Sequence, residues 1–171
     1  MTRRRIRRAG VTLLEFLVGG SLLAIAIVSL LDVVARHFTL NTHTRNLSWA
    51  MNDVTRVMEQ MRLQNVGVGC ANPSVTPPVG FATWDAWLAD TGATGGGGKS
   101  IQPNPAVNEL IMLSSAGANP LQVTVAACWR DYQGRVIGEC QWNGVQLTTN
   151  DANGDGVLTG PAMLSTLVTC R

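Results

Sequence analysis

The run Val11–Leu31, VTLLEFLVGGSLLAIAIVSLL, decides the architecture of this chain. Its only charged residue is Glu15, and Asp32 follows its last leucine. At about 1.5 Å per residue, a helix over this run nearly crosses the ~30 Å hydrocarbon core of a bilayer. The run therefore predicts a helix that can sit in a membrane.

The helical pattern continues beyond the apolar run. Apolar residues recur at spacings of four and three, with polar residues between them, at Leu47, Met51, Val54, Met58 and Met61. No Pro or Gly interrupts residues 21–66. We expect one helix of about 50 residues. Its transmembrane half covers 11–34 and its amphipathic half covers 35–66, with the methionine face packed on the rest of the protein.

Positive charge is concentrated before the apolar run. Five of the 13 basic residues lie in the first ten positions, at Arg3, Arg4, Arg5, Arg7 and Arg8. Arginines on this side hold that end of a membrane helix in the cytoplasm and send the remainder across. From residue 66 onward the chain has four basic and seven acidic residues, a balance of −3. This balance argues against a nucleic-acid partner.

The chain has four cysteines, Cys70, Cys128, Cys140 and Cys170. Two disulfides outside the cytosol fit this usage best, and four free thiols in a cytosolic protein are the alternative. Four cysteines allow three pairings, and the sequence alone does not choose between them. The turn signal Gln133-Gly134 predicts a hairpin that sets Cys128 opposite Cys140. This hairpin favours Cys128–Cys140 together with Cys70–Cys170.

A secretory signal peptide is the main alternative for the N-terminus. Ala24-Ile25-Ala26 offers an Ala-x-Ala cleavage site after an apolar core. Glu15 argues against this alternative because a secretory core should carry no charge, and a carboxylate in hydrocarbon is costly without a partner. The helical pattern also continues past the apolar run.

Arg8-Ala9-Gly10, followed by Val11-Thr12-Leu13-Leu14-Glu15, resembles the type IV prepilin signature: a short basic leader ending in Gly, then an apolar core with a glutamate fifth from the cut. The resemblance implies that residues 1–10 form a leader, which prepilin peptidase removes between Gly10 and Val11. It also implies methylation of the new amine of Val11, where the family mostly has Phe or Met.

The same resemblance implies a role for Glu15 in assembly. In pilin-like filaments this glutamate is thought to pair with the N-terminal amine of a neighbouring subunit, which offsets the burial of both charges. A glutamate that snorkels to the lipid headgroups is the alternative.

The implied fold is α+β and type IV pilin-like, with the long N-terminal helix packed on an antiparallel β-sheet. A globular β-rich domain with a C-terminal loop then covers 67–171. Two further runs, Val57–Asn65 and Val123–Asp131, are similar to those of the V-type minor pilins, the type IV pilus modification proteins.

The resemblance implies a minor pilin, a non-enzymatic subunit. Its partners would be other pilins through the N-terminal helix, prepilin peptidase and the inner membrane, with no required cofactor, no small-molecule substrate and no nucleic acid. It would cross the inner membrane once with a periplasmic C-terminal domain, and then enter a pilus at the cell surface.

Three other functions stay open. A minor pseudopilin of type II secretion shares the same signature. A DNA-uptake pilin is disfavoured by the negative balance of the globular part. A membrane-anchored or secreted periplasmic enzyme is the third, although no histidine follows His43 to support nucleophilic catalysis there.

Strand-like runs dominate the globular part, at Glu109–Ser114, Leu121–Arg130, Arg135–Trp142, Val145–Thr148 and Leu164–Thr169. Trp84–Leu88 predicts a short helical turn. The glycine-rich segment, Thr91–Ser100, is expected to be a flexible loop. It formally fits a relaxed phosphate-loop pattern, which we reject because Pro103 and Pro105 would break the helix that must follow.

The run Asp151-Ala-Asn153-Gly-Asp155-Gly-Val157 matches the first two-thirds of a calcium loop. Side-chain oxygens of Asp151, Asn153 and Asp155 and the carbonyl of Val157 would converge on one ion. The final third departs from the pattern, because Ala162 stands where the bidentate Glu belongs. A turn rich in Asn, Asp and Gly explains the same residues without calcium.

Overall fold

The computed structural model describes residues 12–67, 70–102 and 104–170. They form two compact units, one ending at Thr42 and the other beginning at His43. The first unit is helical, and the second holds the sheet and the cysteines.

Helix α1 runs from Leu13 to Gln64, which confirms the prediction of one helix of this length and places its end two residues before the expected Val66. In the second unit, one face of α1 is buried. Its apolar members are Ala50, Val54, Val57, Met58 and Met61. This spacing of three and four residues is what an amphipathic helix needs to cover a sheet, and the methionine face packs as predicted.

Four antiparallel strands make the main sheet: β1 (Glu109–Gly117), β2 (Leu121–Arg130), β3 (Val136–Ile137) and β6 (Ala162–Val168). Strand β2 is central, because β1 lies along one side while β6 and β3 share the other. The α+β prediction is therefore confirmed, together with the first two predicted strands and, with shifted bounds, the last one.

The two faces of β2 enter different cores. Val123, Val125, Ala127 and Trp129 are buried in the same cluster as the α1 face. Ala126 and Cys128 face the other way, into a smaller cluster. The alternation of strand side chains explains why β2 is apolar over almost its whole length.

Two short helices precede the sheet. Helix α2 (Trp84–Ala89) covers the predicted helical turn, and the Thr83 hydroxyl caps it by accepting from the Ala86 amide at 3.0 Å. Helix α3 (Pro105–Asn108) starts on a proline. Among the described residues no helix follows directly after Ser100, in agreement with the reason for rejecting a phosphate loop, and α3 accepts Pro105 at its first position because the amide there would have no partner within the helix.

The predicted strand Arg135–Trp142 is also wrong as a single element. It splits into β3 and β4 (Cys140–Trp142), which belong to different sheets. Strand β4 pairs instead with β5 (Leu147–Thr149), and this hairpin contributes Cys140 and Leu147 to the smaller core.

The cysteines pair as Cys70–Cys170 and Cys128–Cys140, the pairing that the sequence favours. The expected register is wrong, however. Strand β2 pairs with β3 through Trp129 opposite Ile137, so Gly138, not Cys140, comes against Cys128. A Cβ at Gly138 would lie 2.7 Å from the Cys128 Cβ, and its φ of +104° favours glycine. The absent side chain leaves room for the disulfide to pass.

The two disulfides differ in the loop that they close, 100 residues for Cys70–Cys170 and 12 for Cys128–Cys140. Replacing both cysteines of a disulfide by serine frees the unfolded chain from the constraint of the closed loop. We therefore expect the free energy of unfolding to fall by ~4.7 kcal/mol when Cys70 and Cys170 are replaced, and by about 3 kcal/mol when Cys128 and Cys140 are replaced. The measurement is urea unfolding of the full chain in detergent, followed by tryptophan fluorescence, since all five tryptophans lie in the second unit. A larger loss for the short loop would contradict this ranking.

Candidate functional site

Helix α1 begins next to the residues that carry the prepilin resemblance. The Thr12 hydroxyl accepts from the Glu15 amide at 3.3 Å, which places Thr12 as the cap and Glu15 in the first turn. A carboxylate there is favoured by the helix dipole. Gly10 and Val11 lie outside the residues that the structure describes, so cleavage and methylation stay predictions.

The described part of the first unit, from Thr12 to Thr42, exposes nearly all of its apolar surface. Leu13 and Phe16 are 80% and 75% exposed, and the large apolar side chains as far as Val34 are all at least 42% exposed. This is the one described helix that is long and apolar enough to cross a membrane. Hydrocarbon or other apolar helices are the surroundings that such a surface needs.

Hydroxyl groups in this unit bond to the helix itself. Ser21 donates to the Val18 carbonyl and Ser29 to the Ile25 carbonyl, each at 2.9 Å. These two hydroxyl groups therefore need no hydrogen bond from water, and the helix can be surrounded by hydrocarbon without leaving them unpaired. Asp32 pairs with Arg36 at 3.0 Å just beyond the apolar run.

Asp151 lies in the predicted calcium loop and accepts two hydrogen bonds from the loop's own backbone. The amides of Gly154 and Gly156 donate to its two carboxylate oxygens, both at 2.8 Å. The loop is thus folded around Asp151.

Asn153, Asp155 and Val157 continue the same arrangement. The Asp155 amide donates to Asn153 Oδ1 at 3.1 Å, and the Val157 amide donates to Asp155 Oδ1 at 2.7 Å. These are the contacts of consecutive Asx turns. Among the described residues, no group of three or more His, Cys, Asp or Glu could hold a metal. Calcium in this loop stays a prediction.

A buried polar cluster joins α1 to the glycine-rich segment. Asp53 is fully buried, and it accepts from the Ser100 amide and hydroxyl at 2.8 and 2.7 Å and forms an ion pair with Arg56. Arg56 also donates to the carbonyls of Gly96 and Gly98 at 2.6 and 2.7 Å. The segment expected to be a flexible loop is therefore bound to the helix.

Glu109, the first residue of β1, lies in the same cluster and is 1% exposed. Burial, and next the nearby Asp53 carboxylate, raises the pKa of Glu109 from 4.5 to about 8. Glu109 Oε2 accepts from the Ile101 amide at 3.1 Å, while Oε1 has no donor among the described residues.

Lys99 neighbours this carboxyl pair and is also buried. Its ammonium lies 2.6 Å from Asp85 Oδ1 and donates to the Glu109 carbonyl at 2.7 Å. The lysine of the rejected phosphate-loop pattern is thus held inside the fold, where it ties α2 to β1.

This cluster is not among the sites predicted from the sequence, although the sequence contains one signal of it. Asp53 follows Ala50 by three residues and precedes Val57 by four, so helical spacing alone places it on the buried face. No comparable local pattern marks Glu109 or Lys99.

No family model, no curated protein and no solved structure matches this chain. The fold and the site define its class directly: one helix able to span a membrane, followed by a disulfide-bonded α+β unit.

A calcium ion in the loop around Asp151 would raise thermal stability, because a ligand that binds only the folded state stabilises it by about 2.7 kcal/mol at a hundred times its Kd. We expect a higher Tm in calcium than in chelator, and loss of that difference in Asp155→Ala. Glu59→Gln, an exposed carboxylate on α1, is the control. Equal Tm values in calcium and in chelator would leave the loop as an Asx turn alone.

Proposed function

We propose that this chain is a minor pilin, a non-enzymatic subunit of a type IV pilus. It is inserted in the inner membrane through the part of α1 that belongs to the first unit. Prepilin peptidase cuts it between Gly10 and Val11, and the same helix then packs into the filament. The second unit, on the periplasmic side, then presents its surface on the pilus.

The observation that carries the proposal is the position of Glu15. It is the single charge in an apolar run of 21 residues, Val11–Leu31, and lies in the first turn of α1. Within 12–67, 70–102 and 104–170 its carboxylate has no hydrogen-bond or ion-pair partner. A charge buried in hydrocarbon needs an opposite charge, and the amine of a neighbouring subunit's Val11 supplies one.

The exposed apolar surface supports the same proposal. A filament subunit uses such a helix twice, first as a membrane anchor and then as packing surface. The negative balance after residue 66 suits a protein partner better than DNA.

The first test is the mature N-terminus. We expect protein from membranes of peptidase-positive cells to begin at methylated Val11, and protein from peptidase-negative cells to keep its leader. N-terminal sequencing with mass spectrometry measures both. A start after Ala26, or an uncut chain in both strains, would remove the pilin proposal and leave a secreted or anchored protein.

The second test is assembly. Glu15→Gln keeps the size of the side chain and removes its charge. We expect normal cleavage of the leader, but at least about a tenfold decrease in the amount of this subunit in sheared pili, because breaking a buried ion pair costs about 3–5 kcal/mol. Asp32→Asn is the matched control, since its exposed pair with Arg36 contributes about 0–1 kcal/mol.

Undiminished incorporation of Glu15→Gln would contradict the pairing role of Glu15. Co-purification with secretion subunits instead of pilins would assign the chain to a type II pseudopilus.

A further inference from the structure

Two turns of the second unit form one surface that is both cationic and aromatic. The Cζ atom of Arg130, the last residue of β2, lies 4.2 Å from the centre of the Trp142 ring in β4. Arg130 Nε also donates to the Gly134 carbonyl at 3.3 Å, in the turn that leads to β3. These contacts join this turn to the hairpin of β4 and β5. We call the surface the arginine–aromatic patch, and its members are Arg130, Tyr132, Arg135, Trp142 and Val145.

The charge that the patch presents to solvent is positive, although the second unit is acidic. From His43 onward the sequence has seven basic and nine acidic residues, a balance of −2. The side chain of Asp131, the acidic residue of the turn, is only 8% exposed, and it accepts from the Gln133 and Arg135 amides at 2.9 Å. The side chain of Arg135, its ion-pair partner, is 67% exposed. The arginine is therefore the outer member of this pair.

The patch lies at the end of the second unit where the chain enters it. The ring of His43, the first residue of this unit, is 6.0 Å from the ring of Trp129, which directly precedes Arg130 in the chain. The apolar run that needs hydrocarbon around it ends at Leu31, shortly before His43 in the sequence. A membrane that holds this run is therefore tethered to the end of the second unit that carries the patch.

We propose that the arginine–aromatic patch binds the anionic headgroups of the lipid surface in which the chain is anchored. Each arginine near an anionic surface raises the ratio of bound to free patch by about fivefold. Tyrosine and tryptophan have an apolar ring and a polar group, and they are enriched at the level of the headgroups. Tyr132 is exposed for such a contact, and Val145 adds exposed apolar area beside Trp142.

The tether is what favours lipid over another partner for this patch. Because the apolar run and the patch belong to one chain, the lipid surface is present at a high effective concentration, and weak contacts are sufficient for binding. The inference rests on the membrane insertion in the proposed function, but not on assembly into a pilus.

A fluorophore that reports the polarity of its surroundings tests the contact on the full chain. Gln133→Cys places it beside Tyr132, and Ala116→Cys places it on an exposed residue of β1 that pairs with Gln122 at the other end of β2. The labelled chains are compared in nanodiscs of phosphatidylcholine alone and of phosphatidylcholine mixed with phosphatidylglycerol. We expect emission from position 133 to shift to shorter wavelength in the anionic nanodiscs, and emission from position 116 to stay unchanged. High salt should reverse the shift because it screens exposed charges.

Two arginine variants of the labelled Gln133→Cys chain test the role of charge. Arg135→Gln should lower the ratio of bound to free patch by about fivefold in the anionic nanodiscs. Arg62→Gln is the matched control, because Arg62 is also an exposed arginine in an ion pair on the second unit, with Glu59. We expect it to leave the shift unchanged.

The lipid contact is overturned by equal emission from position 133 in the two kinds of nanodisc, by an equal shift at position 116, or by equal effects of Arg135→Gln and Arg62→Gln. Size-exclusion chromatography separates this failure from that of the proposed function. A chain that stays with the nanodiscs but shows no shift contradicts the lipid contact alone. A chain that leaves the nanodiscs contradicts membrane insertion, and the lipid contact with it.

Discussion

Burial of the α1 face between Ala50 and Met61 in the same core as β2 is the contact on which the second unit depends. Strand β2 has ladder partners along both sides, so whatever covers it also fixes β1, β3 and β6. Each fully buried apolar side chain contributes about 1.5–3 kcal/mol. Several buried side chains on one helix face therefore contribute more free energy than the intrinsic conformational preferences of the short strands and loops around them.

The same packing buries a carboxylate that needs hydrogen-bond and ion-pair partners. Asp53 lies on the buried face, and an unpaired carboxylate there would cost several kcal/mol. The glycine-rich segment supplies the missing partners with its backbone and Ser100. Its glycines are needed for close approach, because a Cβ at Gly96 would lie 2.7 Å from the Leu88 Cα. A segment whose composition predicts flexibility is therefore held in one conformation by these contacts.

The first unit follows a different constraint. None of the side chains described between Thr12 and Thr42 is buried, and the hydroxyls of Ser21 and Ser29 bond to the helix backbone. Such an exposed apolar surface is suited to hydrocarbon, where the charge of Glu15 would need a partner. That single charge, more than any feature of the sheet, carries the proposed function.

The sequence by itself determined the long helix, its apolar and amphipathic parts and the central strands, because periodicity, composition and turn signals act over a few residues, whereas it favoured one of three cysteine pairings without fixing it. Only the tertiary structure decided the register around Gly138, the split of residues 135–142 into two sheets, the docking of the glycine-rich segment and the raised pKa of Glu109. Each of these depends on contacts between residues far apart in the chain, such as Asp53 with Ser100, and on burial that no local pattern records.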